Sequence, residues 1–125
     1  MFQNLDVFRT AIAMARHAGE QQAISAQNIA NADTPKYRAL QMPDFARTLE
    51  GGADGMRSTR PQHLGAGAGP EGYRFSERRG AEDPNGNTVE LESEMVVAVD
   101  AKRAHDRALA IYRSNINILR ASLGR

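Results

Sequence analysis

The stretch Asn28-Ile29-Ala30-Asn31-Ala32-Asp33-Thr34-Pro35-Lys36-Tyr37 stops a helix abruptly. Asparagine and aspartate side chains compete with a helix for its backbone hydrogen bonds. Pro35 lacks a donor and drives Thr34 out of the helical region. The preceding helix is predicted to end near Asp33.

Upstream of that stop, Leu5, Phe8, Ile12, Ala15, Gly19, Gln22, Ala26 and Ile29 recur at alternating spacings of three and four. Residues so spaced share one helix face, and a seven-residue repeat keeps that face toward a partner helix. Gly19 and Gln22 thin the stripe, and its small residues permit close approach. Downstream, Met95, Ala98, Lys102, His105, Leu109, Tyr112, Ile116, Leu119 and Leu123 carry the same rhythm, which predicts a second helix from near Val89 to Leu123. Asn87 with Glu90 is expected to form a capping-box-like start. Glu90, Glu92 and Glu94 complement the positive end of the helix dipole, and Gly124 offers a C-terminal stop.

Between the helices, residues 51–88 hold nine of the eleven glycines and three of the five prolines, a composition that disfavours continuous helix. Runs such as Gly65-Ala66-Gly67-Ala68-Gly69-Pro70 have little to bury against the entropy of ordering them. The chain therefore reads as an N-terminal helix (1–34), a loop or irregular central segment that is partly mobile (35–88) and a C-terminal helix (89–125). A short extended piece is expected around Gly72-Tyr73-Arg74-Phe75-Ser76. The fold class is mainly α: long N- and C-terminal helices forming an antiparallel coiled-coil-like hairpin, with a Gly/Pro-rich irregular middle.

At 125 residues the chain has one domain's worth of sequence, and a net charge of +1 from 16 basic and 15 acidic side chains argues against a nucleic-acid partner. Absence of cysteine removes disulfide and thiol chemistry. Met1-Phe2-Gln3-Asn4-Leu5-Asp6 lacks the basic opening and apolar run of a cleavable signal peptide. No run approaches the roughly 20 apolar residues of a membrane span, so no direct membrane insertion is expected.

Candidate chemistry is sparse. His17, His63 and His105 lie far apart, and none belongs to a ligand-spaced motif. His105 falls on the second stripe beside Lys102 and reads as a tolerated polar position. Asp44/Glu50 and Glu92/Glu94 lack a spacing that identifies a reacting centre, and Ser25, Ser76 and Ser93 lack a nucleophile elbow. Gly65, Gly67 and Gly69 lack the lysine-hydroxyl end of a phosphate loop. No catalytic, cofactor-binding or metal site is assigned, and an enzyme is not expected.

The opening stretch resembles the signature that follows the first helix of bacterial flagellar rod and hook proteins, in which Asn-Ile-Ala-Asn-Ala-x-Thr-Pro-Gly-Tyr is the usual form. Asn28, Ile29, Ala30, Asn31, Ala32, Thr34, Pro35 and Tyr37 match it, and Lys36 stands where glycine is usual. Met42-Pro43-Asp44-Phe45 is similar to a segment that follows the signature. Thr59 with Pro61-Gln62-His63-Leu64 is similar to a central motif, and Asn85-Gly86-Asn87-Thr88-Val89-Glu90-Leu91-Glu92-Ser93-Glu94-Met95 to the start of the last helix of a proximal rod member. Ala101 to Arg107 departs from the family pattern.

The resemblance implies a structural subunit of the proximal rod of the flagellar basal body, self-assembling through its terminal helices and helping to transmit motor torque. It implies as partners other copies, other rod proteins, MS-ring/rod-base junction proteins and the flagellar type III export apparatus, with location in the periplasm-spanning rod and export without a cleavable signal peptide. Another rod protein of the same family, or a helical flagellar export chaperone or adaptor, are the alternatives. Helical stripes alone favour a monomeric antiparallel hairpin, and the resemblance turns the preference to intersubunit packing. The expected assembly positions are Leu5, Phe8, Ile12, Ala15, Ile29, Met95, Leu109, Tyr112, Ile116 and Leu119.

Overall fold

A computed structural model describes residues 2–51, 73 and 75–124, with side chains from Asp6 through Leu49 and at the described positions from Tyr73 on. The elements are α1 (Phe2–Ala30), β1 (Leu40–Gln41), α2 (Phe45–Gly51), β2 (Ser76–Glu77) and α3 (Leu91–Ser122). They fall into two compact units, Met1–Ala26 with Glu92–Arg125, and Gln27–Leu91.

In the first unit the long helices pack against each other, and two contacts fix their direction. The Phe8 and Tyr112 rings meet edge to face, 5.3 Å between centroids and 77° between planes. Ser25 Oγ donates to the Glu94 carbonyl at 2.9 Å. From the first contact to the second, α1 advances from residue 8 to 25 while α3 retreats from 112 to 94, so the pair is antiparallel. That register sets Ala11 against Ala108 and Ala18 against Ala101. All four are buried, Ala18 at 1% and Ala108 at 0% exposure, as are Ser25 and Glu94. Positions 11, 18 and 25 of one helix thus face 108, 101 and 94 of the other at seven-residue intervals, the repeat that holds one seam in contact.

This seam of small residues runs beside the apolar stripe read from the sequence, which meets across the pair at Phe8 and Tyr112. In the first helix it lies one residue before that stripe: Ala11, Ala18 and Ser25 are buried, whereas Ile12, Gly19 and Ala26 are exposed. One residue turns a helix by about 100°, so the larger apolar side chains form a flank beside the seam. Small residues take the contact line because they let the backbones approach closely.

The helix ends follow from local chemistry. α1 stops at Ala30, earlier than the Asp33 expected. Beyond it the chain tightens into three-residue turns, with Ala32 N donating to Ile29 O at 3.2 Å and Thr34 N to Asn31 O at 3.0 Å. α3 carries Glu92 and Glu94 in its first turn. Past its end, Gly124 adopts φ +72 and donates to Ala121 O at 3.2 Å.

In the second unit β1 and β2 form an antiparallel ribbon, Leu40 opposite Glu77 and Gln41 opposite Ser76. Arg78 N donates to Ala39 O at 2.7 Å, continuing the ladder. The expected extended piece near 72–76 therefore pairs at Ser76–Glu77, while Gly72 and Arg74 lie outside the described residues. α2 occupies part of the segment predicted to be irregular. It starts where Thr48 N and Thr48 Oγ1 both donate to Asp44 O, at 3.1 and 3.2 Å. Thr59, the Pro61–Leu64 motif and the run from Gly65 to Pro70 lie outside the described residues.

Lys36 sits at the third position of the turn Thr34-Pro35-Lys36-Tyr37, with Tyr37 N donating to Thr34 O at 3.3 Å and Lys36 at φ +61. Proline second and a positive φ third are the marks of a type II turn, where glycine is the unstrained choice. The turn keeps the backbone that glycine would adopt, and the lysine carries the steric cost. Lys36→Gly is expected to stabilise the chain by roughly 0.5 kcal/mol, the relief of the left-handed conformation outweighing glycine's added unfolded-state entropy. Lys36→Val is expected to cost about 1 kcal/mol or more, because a branched Cβ fits that region poorly. Denaturant titration of the pair checks both signs.

Signature junction and candidate assembly surface

The signature residues build a hydrogen-bonded junction inside the second unit. Asn28, fully buried in the last turn of α1, uses its side-chain amide as a strand would use its backbone. Its Oδ1 accepts from Leu40 N at 3.0 Å, and its Nδ2 donates to Leu40 O at 2.8 Å. Tyr37 Oη donates to the same Oδ1 at 3.2 Å. Asn31 Nδ2 reaches back to Gln27 O at 2.8 Å, and Thr34 Oγ1 donates to Asn31 Oδ1 at 3.2 Å. Ile29 is half-buried, and Ala30 and Pro35 are exposed.

Asn87 closes the junction from the far end of the segment. Its Nδ2 lies 2.9, 2.7 and 2.8 Å from the carbonyl oxygens of Asn31, Ala32 and Thr34, and its Oδ1 accepts from Val89 N at 2.7 Å. The sequence reading cast Asn87 as the start of the last helix. Instead its amide satisfies carbonyls just past the end of the first helix, where the dipole leaves negative charge. Thr88 joins it: Thr88 Oγ1 accepts from Ala39 N at 2.8 Å, and Thr88 N donates to Tyr37 O at 3.1 Å. Asn85 O takes the N–H of Lys36 at 3.0 Å.

The expected assembly positions fall on the flank of the helix pair and beyond it. Ile12, Ala15, Leu109 and Tyr112 come together with Ala11, Arg16, His105 and Ala108 around a groove of about 440 Å³. Phe8, Ala15, Leu109, Tyr112 and Ile116 are half-buried, while Ile12 (41%) and Leu119 (37%) are exposed. Ile29 belongs to the second unit, and the side chain of Leu5 is outside those described. Met95 stands apart from the groove: it shares an exposed apolar face of α3 with Val96 and Val99, edged by Asp100 and Arg103. The sequence reading missed Val96 and Val99, whose signal is their spacing of one and four from Met95.

Ionic chemistry on these faces is ordinary. Lys102 Nζ donates to Asp106 Oδ2 at 2.9 Å, holding that carboxyl below its usual pKa, and both side chains are solvated. Such pairs contribute little to stability. Among the described residues no group of three or more His, Cys, Asp or Glu side chains could hold a metal ion. No helix among them is long and apolar enough to cross a membrane.

No family model matches the chain. It is 29% identical over 119 residues to the flagellar basal body rod protein FlgB of Agrobacterium fabrum, an alignment covering 90% of this chain and 88% of that protein. The chain thus resembles a flagellar basal body rod protein over most of its length. Coverage of that extent omits neither long helix, so the likeness extends over the paired helices and beyond the short signature.

Proposed function

We infer that the chain is a structural subunit of the proximal rod of the flagellar basal body, self-assembling through its terminal helices and helping to transmit motor torque. In this reading the helical segments 1–34 and 89–125 form the rod core domain, with 35–88 as its central segment. Its partners are further copies, the other rod proteins, the MS-ring/rod-base junction and the flagellar type III export apparatus. The likeness to FlgB supports the setting. One structural observation carries the assembly role: the helices close on each other through alanines and, Ile24 apart, leave most of their larger apolar residues half-buried or exposed. A monomer gains little from that arrangement, whereas a subunit covered by neighbours buries the flank. Head-to-tail contacts that do not close into a ring would stack such subunits into a tube.

The test is electron microscopy of basal bodies from a strain deleted for this gene and complemented with either the native chain or Ile12→Glu/Leu109→Glu. The deletion is expected to give membrane rings without rods, and the native chain to restore them. The double variant places two charges on the groove and none on the alanine seam. It is expected to fold with native helix content by circular dichroism and yet restore no rods. Intact rods in the deletion strain would overturn the role, and full restoration by the variant would overturn the assignment of this surface.

A further inference from the structure

Asn85-Gly86 is the one Asn-Gly step in the chain. With no side chain on the following residue, the main-chain nitrogen of glycine has the least hindered approach to the asparagine amide carbon. We propose that Asn85 is a self-modification site held shut by the native turn and opened by unfolding. The inference rests on the turn alone and not on the role in the rod.

The reaction needs only water. Gly86 N, having given its proton to solvent base, attacks Cγ of Asn85. The new N–C bond closes a five-membered succinimide as the Cγ–Nδ2 bond breaks, and ammonia departs carrying the returned proton. Water then adds to either ring carbonyl, leaving aspartate, or isoaspartate if the main chain is rerouted through Cγ. Amide and water have become acid and ammonia.

Asn85 is exposed, so water is not withheld from it. What the fold withholds is the attack. Gly86 N donates to Asp83 O at 2.7 Å, a short bond that occupies the nucleophile. Asn85 Oδ1 accepts from Asn87 N at 2.9 Å, which pins the electrophilic amide toward the residue beyond Gly86. Asp83 N donates to Asn87 O at 2.9 Å, closing the loop around both groups, and Asn85 O is engaged by Lys36 N at 3.0 Å. The sequence suits this turn: Asp83 first, Pro84 second and Gly86 fourth are the residues type I favours. Reaching Cγ requires Gly86 N to leave Asp83 and the Asn85 amide to swing off Asn87.

The two products differ in what they permit afterwards. Aspartate at 85 keeps an oxygen for Asn87 N and an unchanged main chain, so the turn can re-form. Isoaspartate inserts a methylene into the main chain between Cα of residue 85 and Gly86 and turns the carbonyl that meets Lys36 into a side carboxylate, which shifts the Asn87 amide that gathers three carbonyls of the junction. A chain that has waited unfolded is thereby diverted from its native junction.

The experiment incubates the full-length protein at mildly alkaline pH, native and in guanidinium chloride, and follows residue 85 by peptide mass spectrometry with isoaspartyl methyltransferase to count the rerouted product. Conversion in the native protein is expected to be slower by at least about tenfold, equivalent to ~1.4 kcal/mol of local opening. Equal rates in the two states would overturn the guard. Asp54-Gly55 can isomerise but shows no amide-to-acid mass change, so the readout is specific. After removal of denaturant, the aspartyl fraction and an Asn85→Asp variant are expected to refold with native denaturation midpoints, and the isoaspartyl fraction with a lowered one. Equal midpoints for all three would overturn the diversion.

Discussion

Asn87→Ala is expected to lower stability by about 3 kcal/mol or more, because each buried partner left unsatisfied costs roughly 1–3 kcal/mol. The side chain is 1% exposed and bridges four backbone groups: the carbonyls of Asn31, Ala32 and Thr34, and the N–H of Val89. Two amide hydrogens serve three oxygens, so the three contacts share two protons and do not count as three full bonds. The N–H of Val89 is the more costly loss, since Val89 is itself buried and a donor has no second way to be satisfied. Denaturant unfolding followed by circular dichroism measures the total. Hydrogen exchange at Val89 locates it: protection there should fall sharply, whereas amides of the helix pair around Ala18 and Ala101 should change less. A loss below about 1 kcal/mol would mean that water replaces the side chain and that the junction does not depend on it.

Asn87→Asp separates the donor from the shape. The aspartate replaces the amide donor with a second oxygen facing three carbonyl oxygens, so its charged form should destabilise more than alanine at neutral pH. Those oxygens raise its folded pKa above the unfolded value of about 3.9. The penalty of the charged form is absent below the unfolded pKa, grows as pH rises toward the folded pKa and is constant above it. The variant should therefore recover toward the native chain in acid, while Asn87→Ala shows no such added dependence.

The sequence made the long helices readable because each carries an apolar rhythm over many turns, and that rhythm survives errors at individual positions. It misplaced their contact line for a physical reason. A pattern search is drawn to Ile12, Leu109 and Met95, which have much apolar area, whereas antiparallel helices that approach closely do so through Ala11, Ala18, Ala101 and Ala108. The seven-residue spacing of those alanines was present in the sequence, with Ser25 and Glu94 extending it. The signature residues were recognisable as a stop, but the role of Asn87 was not, because the three carbonyls it gathers lie more than fifty residues away and are backbone atoms. α2 is seven residues long, too short for a periodicity to show, and only Asp44 after Pro43 hinted at its start.

Ala18→Leu is the corresponding test of the seam, and it is expected to cost about 3 kcal/mol, the upper part of the range for overpacking a tight interior. Leucine has better helix propensity than most replacements, so the loss cannot come from the helix itself. Nor can it be relieved by rotating the side chain outward, because a residue at 1% exposure has neighbours on every side. The helices must separate, and separation loosens the Phe8–Tyr112 ring contact and the bond from Ser25 to the Glu94 carbonyl on either side of it. Ala110→Leu, at an exposed position of α3, makes the same chemical change without a facing wall and should stay within about 0.5 kcal/mol of the native chain. The register can be read from the same series. Trimming the facing residue with Ala101→Gly makes room for the new leucine, while Ala108→Gly makes a gap two turns away. Each glycine alone costs about 1 kcal/mol in a helix interior. If Ala18 faces Ala101, the Ala18→Leu/Ala101→Gly double variant should be more stable than the sum of its parts, and Ala18→Leu/Ala108→Gly should be additive. Additivity in both would place the helices in a different register from the one set by Phe8 with Tyr112 and Ser25 with Glu94.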